Sequence, residues 1–511
     1  MSNPANKSYG QILKSSSIVG GAQAINLVIG MVRTKFVAIL LGPSGVGLVG
    51  LYQSAIGLVG TVAGLGIGQS GVREVAEAHG SHNEEKIART VKVLRRACWV
   101  TGVLGWLLTA ALAWPLSLWA FKSGDRAWAI GILGFTLLLG SISGGQTALI
   151  QGLRHIGDLA RLNVLSVIAG TVVSIALYSW LGEKGIVPAL LLLAAVNLGF
   201  SWWFARRIRV AEVTVTWRET RGESRRLISL GLAFMWSGLL TAGVAMTAQS
   251  LIFRTLGSDA NGIYQAAWGL SGIFAGFILN AMGADFYPRL TAVAHDNDHV
   301  NRLVNEQTEI GLLLALPGLL GTLVFAPWII RIFYTARFDQ AADLLPLFVL
   351  GIFGRVISWP LGFIQLAKGA SRWFAATETA VNALHIVLIW LGLRWFGLPG
   401  VALAFAILYA SHTLGTRWVA TRLSHFRWSF SAKRLLTIGT LLVAATFGMM
   451  KLAPELPAVV IGALVSIGSG CYCLREITSR LGPGHRVCRM VLRLPWVGRR
   501  LCAGSESYLP P

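Results

Sequence analysis

Two arginines inside apolar stretches are the residues of this sequence best suited to chemistry. Arg33 lies toward the end of the first apolar stretch, and Arg355 lies twelve residues from either end of the tenth. A charged residue at the centre of a membrane helix costs roughly 2.5–3.5 kcal/mol, so it usually has a functional role. Because a guanidinium can bind phosphate oxygens through two parallel hydrogen bonds, both arginines predict a site for a phosphate or diphosphate group.

Polar side chains accompany Arg33 on its own helix. Ser16, Gln23, Asn26 and Arg33 are spaced by 7, 3 and 7 residues, which places them on one face of a helix with a 3.6-residue period. Other polar residues in apolar stretches could line a cavity or join helices by hydrogen bonds: Gln53, Gln146, Asn197, Gln249, Asn280 and Asn382. We assign Gln23, Asn26, Gln53 and Gln249, with the two arginines, to a predicted substrate site.

Glu378 is the carboxylate that lies well inside an apolar stretch. Two hypotheses follow, and the sequence leaves both open. Glu378 could exchange a proton and couple the protein to an ion gradient, or it could form an ion pair with a neighbouring arginine. His385 and His412 could also titrate, but a lone membrane histidine is more often a hydrogen-bonded packing residue.

Catalytic and cofactor-binding motifs are missing from the sequence. Gly45-x-Gly47-x-x-Gly50 matches a dinucleotide fingerprint, but it has no preceding strand and no acidic residue about 20 positions later. The sequence has no P-loop, and no Ser/His/Asp set, carboxylate pair or metal-ligand cluster can be placed on a common surface. We therefore expect no enzyme activity, no cofactor and no metal.

Composition predicts that helices in a membrane position these residues. Of the 511 residues, 54% are hydrophobic and 13% are charged, against about 25% charged in soluble domains. A soluble enzyme with a small anchor is excluded, and an all-α polytopic fold is predicted. About 20 apolar residues cross the hydrocarbon core, and fourteen stretches qualify: 12–41, 46–72, 97–120, 128–152, 162–181, 186–205, 228–256, 262–288, 308–333, 343–367, 373–396, 399–421, 435–451 and 457–475.

Loop charges predict the orientation. The net charge is +22; 32 lysines and arginines fall in loops and termini on one side of the predicted spans and eight fall on the other. This bias places both termini in the cytoplasm by the positive-inside rule. It also explains the basic composition without nucleic acid, which we do not expect as a partner. Short outer loops leave no room for an extracytoplasmic catalytic domain, and the mixed-charge segments 78–96 and 292–307 suit surface helices.

The sequence repeats at an offset of about 215 residues. Leu41-Gly42 matches Leu256-Gly257, Gly47 matches Gly262, and the offset persists over some 140 residues. Six predicted helices separate the copies, so both copies have the same topology and a site is expected between them. The predicted organisation is an N-terminal lobe, a basic cytoplasmic linker, a C-terminal lobe, two additional helices and a basic cytoplasmic tail: 1–205, 206–227, 228–425, 435–475 and 476–511.

Several motifs resemble a known family. The run Met31-Val-Arg33-Thr-Lys-Phe-Val-Ala is followed by Leu41-Gly-Pro-Ser-Gly-Val-Gly-Leu and by Gly64-Leu-Gly-Ile-Gly-Gln-Ser-Gly-Val-Arg73-Glu. These runs resemble the O-antigen translocase, or polysaccharide flippase, family of the multidrug/oligosaccharidyl-lipid/polysaccharide (MOP) exporter superfamily. The later run Gly262-Ile-Tyr264-Gln fits the same superfamily. The resemblance covers the first twelve predicted helices and is strongest over the first 80 residues or so.

The resemblance implies two six-helix lobes around a V-shaped cavity. It implies that the protein moves an undecaprenyl-diphosphate-linked oligosaccharide, such as an O-antigen or exopolysaccharide repeat unit, to the outer leaflet of a bacterial inner membrane. The arginine that ends the family's first-helix motif falls on Arg33. Membrane lipids are implied as partners, and so are a polysaccharide polymerase and chain-length machinery. An ion gradient is the expected energy source.

Three alternatives remain at this stage. A drug or cation antiporter of the same superfamily predicts a cavity rich in carboxylates, whereas the apolar stretches offer Glu378. A membrane polymerase or glycosyltransferase predicts a large outer loop or an acidic interfacial motif, and the sequence contains neither. A flippase for the peptidoglycan precursor fits the sequence as well as a polysaccharide flippase does.

Overall fold

The structure is a computed structural model that describes residues 4–81 and 83–481. These ranges form helices and contain no β-strand. The predicted tail beyond 481 and the Ser16 side chain lie outside the description. Two short 3₁₀ helices occupy Gly182–Gly185 and Ala336–Phe338. The α-helices are α1 Pro4–Gly64, α2 Ile67–Gly80, α3 Glu84–Ala111, α4 Ala113–Phe121, α5 Ala127–Leu133, α6 Phe135–Gly152, α7 Ile156–Leu181, α8 Ile186–Ala205, α9 Trp217–Ala292, α10 Asn297–Val324, α11 Ala326–Phe333, α12 Ala341–Ala367, α13 Ser371–Phe396, α14 Leu398–Ser424, α15 Phe430–Leu452 and α16 Glu455–Leu481.

The helices confirm an all-α, multi-pass membrane protein. In the described part of the chain, ten helical segments are long and apolar enough to cross a membrane, or eleven if α3 and α4, bent by 60°, form one span. The predicted number of fourteen is not confirmed. Gly21–Gly64 and Ile156–Ala205 are 44 and 50 residues long, about twice the ~20 residues that one crossing needs. Tight turns inside such segments explain why fewer separate helices are counted.

Glycines with positive φ make two of these tight turns. The helical hydrogen-bonding pattern of α1 continues across Gly42, whose φ is 63°, and that of α9 continues across Gly257, whose φ is 91°. Glycine adopts such angles without the steric cost that a Cβ atom brings. The outer loops predicted at these positions are therefore breaks of a single residue.

Matched elements support the predicted repeat. α3 and α10 have 28 residues each, and they begin at side-chain caps formed by Asn83 and Asp296. α7 and α13 have 26 residues each, and they end at Gly182 and Gly397, whose φ angles are 55° and 65°. These equivalent positions are 213 to 215 residues apart, close to the offset read from the sequence. The two additional helices, α15 and α16, pack on α10.

The segments predicted to suit surface helices are helical, but they belong to longer helices. Their charged residues in 84–96 and 297–307 form the first turns of α3 and α10, which continue into the apolar stretches without a break. The Asn83 side chain accepts a hydrogen bond from the Lys86 amide at 3.0 Å, which satisfies one free amide of the first turn. No glycine or proline, the residues that commonly end helices, separates the charged from the apolar residues there. Each helix therefore continues from the charged into the apolar segment.

Residue contacts divide the chain into two compact units. The first contains the chain up to Gln265 together with Ile332–Arg337. The second contains Ala266–Arg331 and the chain from Phe338 onward. The predicted linker therefore lies within the first unit, and the assignment of two six-helix lobes remains a prediction.

The predicted linker is partly helical and is held against α3. Arg89 forms ion pairs with Glu219 at 3.1 Å and with Glu223 at 2.6 Å, both on the first turns of α9. Hydrogen bonds from the Thr216 backbone amide and hydroxyl, together with the Arg89 guanidinium, hold the pKa of the Glu219 carboxyl below its usual value. The linker thus has a defined path along one helix of the first unit.

Two turns that are related by the repeat meet in the first unit. The Ser44 and Ser258 hydroxyls are 3.0 Å apart, and the Asn261 amide donates to the Gly47 carbonyl at 2.8 Å. A Cβ atom at Gly262 would lie 1.9 Å from the Pro43 carbonyl oxygen. The backbones approach so closely that only glycine fits without movement.

This contact predicts a large effect of a small substitution. Gly262→Ala should lower the free energy of unfolding by about 1–3 kcal/mol, because the added methyl overlaps backbone that cannot yield. Gly57→Ala is the matched control, since a Cβ atom there meets nothing within 4 Å. Thermal unfolding of the detergent-solubilised protein measures both. An unchanged melting temperature in Gly262→Ala would contradict the close contact.

Candidate functional site

A cavity in the second unit brings together three titratable or charged residues noted in the sequence. Its volume is about 200 Å³, and it lies among α12, α13 and α14. Arg355 comes from α12, Glu378 from α13 and His412 from α14. Other residues that line the cavity are Trp359, Gln365, Thr377, Tyr409 and Thr416.

Two glycines on α12 allow α14 to approach and so position the arginine. A Cβ atom at Gly351 would lie 2.2 Å from the Phe405 ring, and one at Gly354 would lie 3.0 Å from the Cβ atom of Tyr409. Small residues at a helix interface permit such close backbone packing. Arg355 follows Gly354 directly, so the close contact sets it beside the polar face of α14.

Arg355 is accessible, although its helix neighbours are buried. Its side chain is exposed, while Phe353 and Val356 are buried in the second unit. Tyr409 lies within electrostatic reach of both Arg355 and Glu378, and His412 lies within reach of Arg355. The cavity therefore combines a guanidinium with a carboxyl, a phenol and an imidazole.

Further polar groups surround this charge cluster. The Thr377 hydroxyl donates to the Gln365 side-chain oxygen at 2.9 Å, which joins α13 to α12. The His412 Nδ1 atom is buried and has no hydrogen-bond partner within the described residues. A guanidinium, hydroxyl groups and an imidazole can all donate hydrogen bonds, so the cavity is suited to an anionic group such as a phosphate.

The stripe predicted on the first helix lies in the first unit. Gln23 is exposed, Asn26 is half-buried, and Arg33 is half-buried within electrostatic reach of the Tyr178 phenol on α7. The Asn26 Oδ1 atom is buried and, among the residues that the structure describes, finds no hydrogen-bond partner. Arg33 belongs to the first unit and Arg355 to the second.

The two remaining glutamines differ in their surroundings. Gln249 on α9 is buried, and its side-chain amide donates a hydrogen bond to the Ser54 hydroxyl on α1. It therefore joins two helices, one of the two roles predicted for these residues. Gln53 is exposed.

Sequence reasoning missed part of the cavity. Tyr409 was not recognised, and His412 was assigned to packing. A signal was present, because Tyr409, His412 and Thr416 are spaced by three and four residues and so share one face of α14. Trp359 and Thr377 carried no comparable signal.

The sequence of this chain is similar to those of known proteins. The model of a family described as polysaccharide biosynthesis protein matches residues 36–343, more than half of the chain. The lipid III flippase of Escherichia coli (strain K12) is 21% identical over 417 residues, covering 78% of this chain and 95% of that protein.

Two solved structures share the fold. The lipid II flippase MurJ, in an inward closed conformation, gives a TM-score of 0.64 at 15% identity and covers 90% of this chain and 99% of that chain. An inward-facing multidrug resistance MATE family transporter of the MOP superfamily gives 0.62 at 16% identity, covering 78% of this chain and 96% of that chain. These matches confirm the superfamily fold expected from the sequence. The match over residues 36–343 shows that the chain belongs to the polysaccharide biosynthesis protein family.

Proposed function

We propose that this protein is a flippase for an undecaprenyl-diphosphate-linked oligosaccharide, the repeat unit of an O-antigen or exopolysaccharide. It moves this lipid from the inner to the outer leaflet of a bacterial inner membrane by alternating access. The observation that carries the proposal is the position of Arg355. It lies on a helix long and apolar enough to cross a membrane, and its accessible side chain lines a cavity with several hydrogen-bond donors. The similarity to a lipid III flippase supports it.

The physical task explains why such residues are needed. A sugar-diphosphate head group carries many polar atoms, and each one left unpaired in hydrocarbon costs roughly 2–7 kcal/mol. Arg33 and Arg355 bind the diphosphate, while Gln23, Asn26, Gln53 and Gln249 are the proposed polar lining. The polyprenyl tail remains in the bilayer throughout. Glu378 couples the cycle to an ion gradient.

The orientation belongs to the same proposal. The excess of lysine and arginine in loops on one predicted side supports a cytoplasmic location of both termini. The lipid-linked substrate is then collected on the cytoplasmic side. A polysaccharide polymerase and chain-length machinery act on it after it reaches the outer leaflet.

The cavity charge disfavours a drug or cation antiporter. Such an antiporter predicts a cavity rich in carboxylates, whereas Glu378 is the one carboxylate among the residues that line this cavity, and it shares the cavity with Arg355. The positive charge of Arg355 attracts a diphosphate and repels a cationic drug. The likeness to a MATE transporter concerns the fold alone. A peptidoglycan-precursor flippase would bind a diphosphate of the same kind, so only an experiment separates it from a polysaccharide flippase.

Deleting the gene in its own host tests the function. We expect the mutant to lose surface polysaccharide and to regain it when the wild-type protein is supplied from a plasmid. Surface polysaccharide is read by gel electrophoresis, and growth and drug susceptibility are recorded in parallel. Normal polysaccharide in the mutant, combined with lysis or drug sensitivity, would instead favour a peptidoglycan-precursor flippase or a drug exporter.

A further inference from the structure

A second cavity, in the first unit, has a different chemistry. It lies among α3, α6 and α8, with a volume of about 850 Å³, and Ile208 and Val210 of the linker complete its wall. We call it the α3–α8 groove. Its interior is mostly apolar, with Gln146 as a polar residue of the lining, and its rim is basic. The apolar lining includes Leu138, Leu139, Ile142 and Leu198.

The rim of the groove carries two arginines and two tryptophans. Arg95 and Arg206 are exposed, and the Arg206 guanidinium lies 4.7 Å above the Trp202 ring. Trp99 and Trp202 are each 54% exposed. Exposed tryptophans beside arginines are typical of the membrane–water interface. No carboxylate occurs among the residues that line the groove, so nothing there neutralises the two positive charges.

We propose that the α3–α8 groove binds an anionic diacyl phospholipid of the surrounding bilayer. Arg95 and Arg206 hold the phosphate at the rim, and one acyl chain lies along the apolar wall. Basic pockets between membrane helices on the cytoplasmic side are suited to anionic head groups. The combination of a cationic rim with an apolar interior matches a lipid that is charged at one end and apolar along its length.

Bound lipid would also stabilise the linker. Arg96, next to Arg95, donates to the Val215 carbonyl at 2.8 Å and to the Thr220 hydroxyl at 2.9 Å. A phospholipid that contacts α3, α8, Ile208 and Val210 at once therefore strengthens the attachment of the linker to α3. A ligand that binds only the folded state raises its stability, so anionic lipid should raise the melting temperature.

This proposal is independent of the flippase assignment. The groove contains none of the residues proposed to bind the diphosphate, and it lies in a different unit from Arg355. A negative result for lipid binding in the groove would therefore not contradict the flippase assignment, and a negative result for the flippase would not contradict lipid binding.

Lipid binding to the full-length protein in detergent tests the rim. Native mass spectrometry and thermal unfolding are measured with phosphatidylglycerol, phosphatidylethanolamine and undecaprenyl phosphate. We expect the double variant Arg95→Gln/Arg206→Gln to bind phosphatidylglycerol about thirtyfold more weakly, from about 1 kcal/mol for each arginine. Arg73→Gln/Arg161→Gln removes two exposed arginines outside the groove and should bind like the wild type.

A second variant tests the interior without changing charge. A Cβ atom at Gly199 meets nothing within 4 Å, so Gly199→Phe should fill the groove while α8 stays intact. We expect it to lose the stabilisation by phosphatidylglycerol, with a melting temperature near the wild-type value when lipid is absent. Arg95→Lys/Arg206→Lys should keep most of the binding because the charge remains.

Three results would overturn the proposal. Unchanged phosphatidylglycerol affinity in both the glutamine double variant and Gly199→Phe would show that the lipid binds elsewhere. Equal affinity for phosphatidylethanolamine would remove the role of the arginines. Tighter binding of undecaprenyl phosphate than of phosphatidylglycerol would assign the groove to a polyprenyl lipid.

Discussion

Replacing Arg355 with alanine should sharply reduce surface polysaccharide while the protein still reaches the membrane. Arg355 supplies the fixed cation of the cavity among α12, α13 and α14. A hydrogen bond to a charged group contributes about 1.5–3 kcal/mol, so its loss should reduce transport about ten- to a hundredfold. Surface polysaccharide per molecule of membrane-inserted protein is the quantity to measure.

Arg33→Ala should have the same outcome from the first unit. Arg33 is half-buried on α1, at the position of the arginine that ends the family's first-helix motif. Lysine at either position keeps the charge but loses the paired hydrogen bonds, so it should restore activity only in part. Arg417→Ala is the matched control, because this arginine is exposed on α14 and does not line the cavity.

A structural role for either arginine makes a different prediction. If Arg355 mainly orders α12 against α14, its alanine variant should unfold at lower temperature and elute as aggregate in size-exclusion chromatography. Wild-type polysaccharide from either alanine variant would remove that arginine from the site.

Glu378→Gln should uncouple transport from the proton gradient. Glu378 shares the cavity with Arg355 and lies within electrostatic reach of Tyr409. The amide of glutamine is nearly the same size but cannot exchange a proton. In vesicles we expect the wild-type rate to rise with an imposed gradient and the variant rate to be the same with and without it.

The control for this experiment is another carboxylate. Glu183→Gln changes an exposed residue in the turn between α7 and α8, and it should keep the full response to the gradient. A Glu378→Gln variant that also keeps the response would show that coupling lies elsewhere. If the Glu378→Gln variant keeps the response to the gradient but has a lower melting temperature, Glu378 is a structural partner of Arg355.

Local signals in the sequence were sufficient for much of the fold. Apolar stretches and low charge predicted the membrane helices, and the repeated Leu-Gly pairs ending at Gly42 and Gly257 coincide with turns that the structure shows as positive-φ breaks. The repeat was visible for the same reason, because backbone angles that favour glycine constrain residue type directly. The resemblance to polysaccharide flippases is confirmed by the family match.

Features that depend on packing between distant segments were not predictable. Arg355 and Tyr409 line the same cavity because Gly351 on α12 packs closely against Phe405 on α14. The spacing of residues along the sequence does not predict this packing. The predicted number of fourteen spans is not confirmed, because helical hydrogen bonding continues across a single-residue turn at Gly42 and joins neighbouring stretches into one helix. Arg95 was counted only as a loop charge, since the groove beside it exists only after three helices pack.

Translocation in proteoliposomes tests the central claim most directly. Purified protein is reconstituted with undecaprenyl-diphosphate-linked oligosaccharide, and a membrane-impermeant enzyme that cleaves the sugar reports how much lipid has changed leaflet. We predict that wild-type protein moves the lipid at least about ten times faster than protein-free vesicles, and that Arg355→Ala does not, in keeping with the loss of one charged hydrogen bond. Folded wild-type protein that moves the lipid no faster than protein-free vesicles would contradict the flippase assignment.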